Sequence, residues 1–384
     1  MIFLELGRYL GPDIHETVSK ASKGDEEDCG FNRLFMKKII LKQALGVDIS
    51  KASLSMCLGI MNGDLSKDFI PRADVSNDKI GFKKLAKWLE KVSGQGPNPI
   101  IVMEATGVYH EEVALYLNNL GYAVSIMQSG RVKRYAQSLD QRSKTDALDS
   151  KMLSMLGCER EVPVWEPPSA LMQEMKALSR ERSALIKTKC IEKNRQGAIE
   201  SSAYSDKKEI KRHKQRMRLL ELQIAEIEVE MEEKTAGDSF LSRKLSYLTS
   251  INGVGFISAI TVVAETSGFA LITSGKQLTS YAGYDVVLKE SGNYRGKTKI
   301  SKKGNSHIRA VLHMPSMTCI RLNPTLKTFY QRLKPTKAKP IIALVAVQRK
   351  MLILMYTLWK NEEFYDAEFE KKKAANLQET CCTG

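Results

Sequence analysis

The spacing of apolar residues changes several times along the chain. Residues 1–38 carry Gly11-Pro12 and the polar run Ser22-Lys23-Gly24-Asp25-Glu26-Glu27-Asp28 without a sustained period, which predicts a poorly ordered extension. From Leu41 the pattern tightens. Ala44-Leu45-Gly46-Val47-Asp48-Ile49 reads as a buried strand, Leu54 to Ile60 as a second strand hairpinned to it, and Phe69 to Val75 as a third. Over Ile80 to Val92, the residues Phe82, Leu85, Leu89 and Val92 share one helical face. Pro99 to Glu104 and Ala123 to Met127 read as further strands, alternating with helices at Glu111 to Leu120 and Ser143 to Leu156. Strands first, then alternating helices and strands, predict an α/β domain over 39–160 with a mixed sheet covered by helices.

Beyond Pro163, Pro167 and Pro168 the period is that of long charged helices. Met217, Leu220, Ile224, Ile227 and Met231 step by three and four, the seam of a coiled coil. Leu171, Met175, Leu178 and Leu185 form a less regular stripe that Arg182 interrupts, and the polar Gly197 to Asp206 predicts the turn between the two runs. A helical coiled-coil arm is therefore expected over 165–236. It is either an antiparallel hairpin packed on itself or an arm that pairs two protomers. A mainly helical segment over 237–361 and a charged tail over 362–384 complete the expected α/β plus α architecture, and no internal repeat is visible.

A chain of 384 residues suffices for two or three domains, and 43% apolar residues can fill ordinary cores. The formal charge of +15 points to a polyanionic partner, although an acidic membrane surface or mere solubility accounts for the same charge. No stretch reaches the ~18 consecutive apolar residues of a membrane helix, and Glu5 and Arg8 interrupt the apolar start, so no membrane partner is expected. Seven scattered cysteines, of which only Cys381 and Cys382 are neighbours, point to a reducing compartment and away from zinc.

The acids carry the first chemical signal. Asp48 lies near the end of the first apolar strand, Glu104 ends another, and Asp146 and Asp149 are three apart, so they project from one face of a helix. Taken singly, each has an ordinary reading: a strand-end turn residue, a helix cap, a solvated acidic face. Together they suggest a site, because strands deliver their terminal residues to the carboxyl edge of such a sheet. Four carboxylates gathered there repel one another and call for divalent cations. Two such ions, ~4 Å apart, suit phosphodiester displacement.

The second signal lies in the helical segment. Gly253-Val254-Gly255 precedes the apolar helix Phe256 to Ala264, where backbone N–H groups can meet a phosphate. Ser280-Tyr281-Ala282-Gly283 follows, then Ser291-Gly292. From Lys289 to Arg309 the chain holds Lys289, Arg295, Lys297, Lys299, Lys302, Lys303 and Arg309 against the single acid Glu290. Gly283, Gly292, Gly296 and Gly304 are interleaved, so backbone can approach a phosphate chain closely. A charge run is usually a solvated face, and the residue chemistry alone leaves Ser291 and Ser301 open as the reactive hydroxyl.

Gly46-Val47-Asp48-Ile49-Ser50-Lys51, Glu104-Ala105-Thr106-Gly107 and Lys144-Thr145-Asp146-Ala147-Leu148-Asp149-Ser150 resemble the signatures of the DEDD insertion-sequence transposases. The N-terminal domain of that family is similar to the RuvC resolvase variant of the RNase H fold. Ser280-Tyr281-Ala282-Gly283, Glu290-Ser291-Gly292 and Ile300-Ser301-Lys302-Lys303-Gly304-Asn305 resemble its C-terminal transposase domain. Asn252, where relatives often have proline, and Tyr284-Asp285-Val286, where many have Leu-Thr-Pro, depart from the pattern, and residues 1–38 match nothing in it.

The resemblance implies that Asp48, Glu104, Asp146 and Asp149 bind Mg²⁺, two ions per site. It makes Ser291 the nucleophile that forms a phosphoserine link to DNA, leaving Ser301 to cap a helix or touch phosphate. It further implies donor and target DNA, a noncoding bridge RNA that supplies sequence choice, and a homo-oligomer, dimer or tetramer. The setting would be the cytoplasm of a bacterium or archaeon, at the nucleoid.

Other readings use fewer of these features. A RuvC-like nuclease or junction resolvase would use the acids with water as nucleophile and leave Ser291 idle. A sugar-kinase-like ATPase needs a second Gly-rich phosphate loop that is not found. A non-catalytic coiled-coil nucleic-acid binder would leave the acids without a task.

Overall fold

In the computed structural model of the chain, the described residues are 39–369, except Gln95, Thr106, 140–144, Ser205, Leu271, Lys289, Asn293, Lys297 and Ala338, and the side chain of Arg295. The expected extension 1–38, most of the charged tail with Cys381 and Cys382, and the expected helix start at Ser143 lie outside them. The chain divides into two compact units, Met1–Pro167 and Pro168–Gly384.

The first unit runs β1 (Ile40–Ile49), β2 (Ser53–Asn62), β3 (Lys67–Ser76), α1 (Lys79–Ser93), β4 (Ile100–Glu104), α2 (Glu111–Asn119), β5 (Val124–Met127), α3 (Ser129–Ser138) and α4 (Asp146–Glu159). The strands form one mixed sheet in the order β3-β2-β1-β4-β5. β1, β2 and β3 are antiparallel neighbours, and β4 and β5 continue parallel to β1. The apolar spacing did not mark α3, because only Val132 and Tyr135 of its ten residues turn inward.

The two faces of the sheet differ in residue size. Leu45, Val47, Ile49, Leu54, Met56, Leu58, Ile101 and Met103 point to one face, where they pack with Phe82, Leu85 and Leu89 of α1 and Val113, Ala114 and Leu117 of α2. This is the period-two alternation of a strand buried on both sides. The alternate positions of β1 and β2 are small or polar: Gly46 and Asp48, then Ser55, Cys57 and Gly59. α4 packs on that face, across β1, β2 and β4.

Glycine sets the distance of that contact. A Cβ on Gly46 would lie 2.0 Å from the Ser150 carbonyl oxygen and 2.4 Å from the Ser154 nitrogen. In return Gly157 of α4 sits where a Cβ would meet Ala44 Cβ at 2.6 Å and Val102 Cγ2 at 2.8 Å. Ser150, Ser154 and Gly157 thus form the face of α4 toward the sheet, and both serine hydroxyls donate to carbonyls one turn back in the helix. Backbone lies nearly on backbone.

The second unit opens with α5 (Ala170–Glu200) and α6 (Lys207–Ala236). The pairs Glu174–Lys234, Arg182–Glu228, Lys189–Glu221 and Glu192–His213 run in opposite order along the two helices, so the hairpin is antiparallel and packed on itself. Leu220, Ile227 and Met231 of the expected seam are buried, and Arg182 leaves the stripe to pair with Glu228. The turn is shorter than expected because α5 continues through Gly197, an exposed helical position where glycine costs only about 1 kcal/mol.

There follow α7 (Ser239–Thr249), α8 (Phe256–Glu265), α9 (Gly275–Tyr281), the short strands β6 (Val286–Val287), β7 (Glu290–Ser291), β8 (Tyr294–Arg295) and β9 (Lys299–Ile300), then α10 (Ser306–Val311), α11 (His313–Leu322), α12 (Pro324–Leu333) and α13 (Pro340–Asn361). α13 is long and apolar enough to cross a membrane by length and composition. Ala343, Val347, Met351, Leu352 and Met355 nevertheless lie wholly inside the core of this unit, with Met175, Ile227 and Met231 from the base of the arm.

A methyl group at Gly46 has no room unless α4 lifts. Gly46→Ala is expected to lose about 1–3 kcal/mol of stability, the usual cost of overpacking, or more because the clash is with backbone. Urea unfolding of the purified protein checks this, with Gly197→Ala as a substitution that should be neutral or stabilising.

Candidate active site

The edge of the sheet where β1 and β4 end collects the predicted acids. β1 and β4 run in parallel register with Val47 beside Met103, so the next residues, Asp48 and Glu104, emerge side by side. Asp48 also has Ser55 directly across from it on β2. α4 begins at this edge: Thr145 caps it by accepting from the Leu148 N–H at 3.3 Å, and Asp146 and Asp149 occupy its first turn. Gly46 precedes Asp48 by two residues on the same face, and the Ser150 backbone that presses on it follows Asp149. Close packing there brings the first turn of α4 over Asp48.

The acids feel one another. Burial, then the charges of Asp149 and Asp146 and more weakly that of Glu104, push the Asp48 carboxyl up to about 6. All four predicted acids therefore share one electrostatic field. The N-terminus of α4, with its unpaired N–H groups and partial positive charge, offsets part of the repulsion between Asp146 and Asp149. Among the described residues no three Asp, Glu, His or Cys side chains are close enough to hold a metal ion. The donor set itself fits one, since hard divalent cations take carboxylate oxygens and the repulsion at Asp48 is what a cation relieves.

Ser291 is exposed at the end of β7, in the small hairpin that pairs Glu290–Ser291 with Tyr294–Arg295. Gly292, beside it, has φ +53, a left-handed conformation that glycine adopts at no steric cost. Val286, Val287, Leu288 and Tyr294 around the hairpin are exposed apolar residues. Ser301 is placed differently. Its hydroxyl donates to the Asp285 carboxylate, its N–H donates to the Asp285 carbonyl at 2.8 Å, and its Oγ accepts from the Lys303 N–H at 3.2 Å.

Of the predicted nucleic-acid contacts, Lys299, Lys302 and Lys303 are exposed in the same region. Lys289, Lys297 and the Arg295 side chain lie outside the described residues. Arg309 Nη1 donates to the carbonyls of Ala282, Gly304 and Asn305, so that nitrogen holds the loop together. Gly253, at φ +103, lies against Cys319, where a Cβ would come within 2.9 Å of its nitrogen. Gly255 is the residue before α8 and has open space around it.

A buried carboxylate that the sequence did not single out ties this loop to the arm. Glu265, at the end of α8, accepts from Arg180 Nε at 2.8 Å and Nη2 at 3.1 Å, and from Asn305 Nδ2 at 2.6 Å. Its backbone carbonyl accepts from the Tyr281 hydroxyl at 2.8 Å. Burial alone would raise the Glu265 pKa, but the bonds from Arg180 and Asn305 and the Arg180 charge hold it below the usual carboxylate value. Asn305 in turn caps α10 through the N–H groups of His307 and Ile308. In sequence these residues are too far apart to read as a group.

Comparison with known proteins finds family matches in two segments of the chain. A transposase profile of the IS110 DEDD type matches residues 45–199, and the profile described as Transposase IS116/IS110/IS902 family matches residues 245–331. A pilin gene-inverting protein of Moraxella bovis is 24% identical over 85% of this chain and 98% of its own length. Its counterpart in Moraxella lacunata is 25% identical over the same shares. A probable family 20 transposase of Pseudomonas aeruginosa is 24% identical over 71% of this chain and 87% of its own length.

Two predictions follow from the electrostatics. Folding raises the Asp48 pKa from 3.8 to about 6, so the folded protein holds a proton there that the unfolded chain releases. Stability from this group is full below pH 3.8 and is lost as pH rises through about 6. Asp48→Asn, without divalent cations, should therefore melt higher than the wild type at pH 7–8, with the gap closing toward pH 4. Thermal melts in chelator across that range test it. Arg180→Ala leaves buried Glu265 with only Asn305 and the Lys176 charge and should cost about 1–3 kcal/mol in urea unfolding, with Glu265→Gln costing less.

Proposed function

Because the chain belongs to the IS110-type DEDD transposases and is an enzyme that acts on DNA, we propose that it cuts and rejoins DNA strands with the carboxylate edge of its first unit and Ser291 of its second. The observation that carries the reading is the gathering of Asp48, Glu104, Asp146 and Asp149 at one edge, where burial, then the charges of Asp149 and Asp146 and more weakly that of Glu104, raise Asp48 to about 6. A structural role does not call for four acids held where they oppose one another. The sheet, with β1, β2 and β3 antiparallel and β4 and β5 parallel to β1, is read as the RuvC-like form of the RNase H fold. The second unit is read as an arm over 165–236 and a transposase domain over 237–361.

In the proposed reaction Ser291 Oγ bonds to the phosphorus of a DNA phosphodiester and the bond to the 3′ oxygen breaks. The hydroxyl proton of the serine ends, directly or through water, on the departing 3′ oxygen, giving a phosphoserine link and a free 3′-hydroxyl. The 3′-hydroxyl of a partner strand then attacks the phosphoserine, rejoins the DNA and restores Ser291. A hydroxyl is a weak nucleophile near neutral pH and needs activation. Bound by Asp48, Glu104, Asp146 and Asp149, Mg²⁺ would supply that activation and neutralise charge on the phosphate.

Ser291 suits the role because it is exposed on a small hairpin, whereas the Ser301 hydroxyl is committed to Asp285. Lys299, Lys302 and Lys303 would contact phosphates, with a steep salt dependence. The exposed apolar residues around the hairpin suit a surface that a second copy or the nucleic acid covers. We read the active species as a homo-oligomer in which the acids of one copy serve the serine of another. A bridge RNA would select donor and target DNA in the bacterial or archaeal cytoplasm, at the nucleoid.

The test is a denaturing gel for protein–DNA adducts, formed with Mg²⁺, the flanking RNA of the element and donor plus target DNA. The wild type should give a covalent adduct, and Ser291→Ala and Asp48→Ala should each lose it. An adduct that persists in Ser291→Ala overturns the serine assignment. Free nicks that require Asp48 but not Ser291 identify a metal nuclease that uses water.

A further inference from the structure

The acid edge extends further across the sheet than the four predicted residues. Ser55 stands directly across from Asp48 on β2, and directly opposed residues of an antiparallel pair point to the same face. Ser55 is 4% exposed, and its hydroxyl donates to Asp74 Oδ1 on β3 at 2.6 Å. The pairing of β2 with β3 shifts at this point. Leu54 faces Val75 and Met56 faces Arg72, so Ala73 and Asp74 together oppose Ser55. This is a β-bulge on an edge strand, a device that re-aims a side chain. Here it turns Asp74 onto Ser55, and the row Asp74, Ser55, Asp48, Glu104 crosses four adjacent strands.

A serine hydroxyl has one proton to give. With that proton on Asp74, Ser55 has none to donate to Asp48 across the strand pair. Without Asp74 that proton is free to turn to Asp48, the acid directly across the strand pair. A hydrogen bond from Ser55 would satisfy Asp48 in place of a cation and weaken its pull on one.

We infer that Asp74 is a positioning residue of the acid site: by taking the Ser55 proton, it keeps the Asp48 carboxylate open for the divalent cation. The inference rests on the proposed metal-binding role of Asp48. Asp74 acts through Ser55 and not by its own charge, so deleting Ser55 must cancel the effect of deleting Asp74.

The experiment measures Mn²⁺ binding to the full chain by isothermal titration calorimetry, without nucleic acid, for the wild type, Asp74→Ala, Ser55→Ala, the double variant and Asp48→Ala. Asp74→Ala should weaken binding ~10-fold, within the range seen when supporting partners of metal ligands are removed. Ser55→Ala should stay close to the wild type, and the double variant should match Ser55→Ala. Asp74 is exposed on the edge strand, so Asp74→Ala should melt as the wild type does, which separates positioning from folding. Unchanged binding in Asp74→Ala, or a loss that persists in the double variant, overturns the inference and leaves the role of Asp48 standing. Wild-type binding by Asp48→Ala overturns the metal reading itself, and this inference with it.

Discussion

The acid edge depends on one steric constraint, the backbone-distance approach of α4 to β1. A helix on a sheet is normally held off by the side chains of both. At Gly46 no side chain exists, and the carbonyl of Ser150 fills the space a Cβ would need. Gly157 repeats the arrangement near the other end of α4, against Ala44 and Val102. The helix is pinned at two points along its length, which fixes its rotation as well as its height. Asp146 and Asp149 then have little choice of position. Bulkier residues at either glycine would leave the fold plausible and the acids apart, so the steric requirement and the chemistry lie within two residues of each other on β1.

That arrangement costs stability. Burial and, after it, repulsion among the gathered carboxylates weigh on Asp48, which carries the cost as a raised pKa. Partial relief comes from the N-terminus of α4, whose orphan N–H groups favour negative charge nearby. Stored repulsion of this kind is what a functional site tolerates and a structural one does not.

Much of this was legible in the sequence, for reasons tied to particular residues. The alternation Leu45, Val47, Ile49 marked β1, and a lone acid inside an apolar strand stood out at Asp48. Asp146 and Asp149 announced a shared helical face by spacing alone. Residues whose role comes from a distant partner were not legible. Gly46 read as one more strand residue, because nothing local says that α4 presses on it. α3 has too few inward residues to show a period. Asp74 carried no signal in the sequence, because only the bulge opposite Ser55 brings its carboxylate to that hydroxyl. Glu265 lies 85 residues from Arg180 and 40 from Asn305, so no motif joins them.

In the second unit, hydrogen bonding and exposure separate the proposed nucleophile, Ser291, from Ser301. The loop between α9 and α10 is bound at its base by strong contacts. Arg309 spans three carbonyls, Ser301 is bonded to Asp285, and Asn305 joins the buried Glu265 to the cap of α10. Gly304 admits the Tyr281 carbonyl where a Cβ would lie 2.4 Å away. The base is therefore rigid, and a hydroxyl bound into it, as Ser301 is, can reach little beyond its partners. The β7–β8 hairpin carries Ser291 away from that base, where it is exposed beside a glycine in a left-handed turn. A rigid base with a small exposed tip is how folds commonly present a reactive group. Ser301 is thus bound into the base of the loop and Ser291 is exposed, a difference that two Ser-containing motifs in one basic stretch do not reveal.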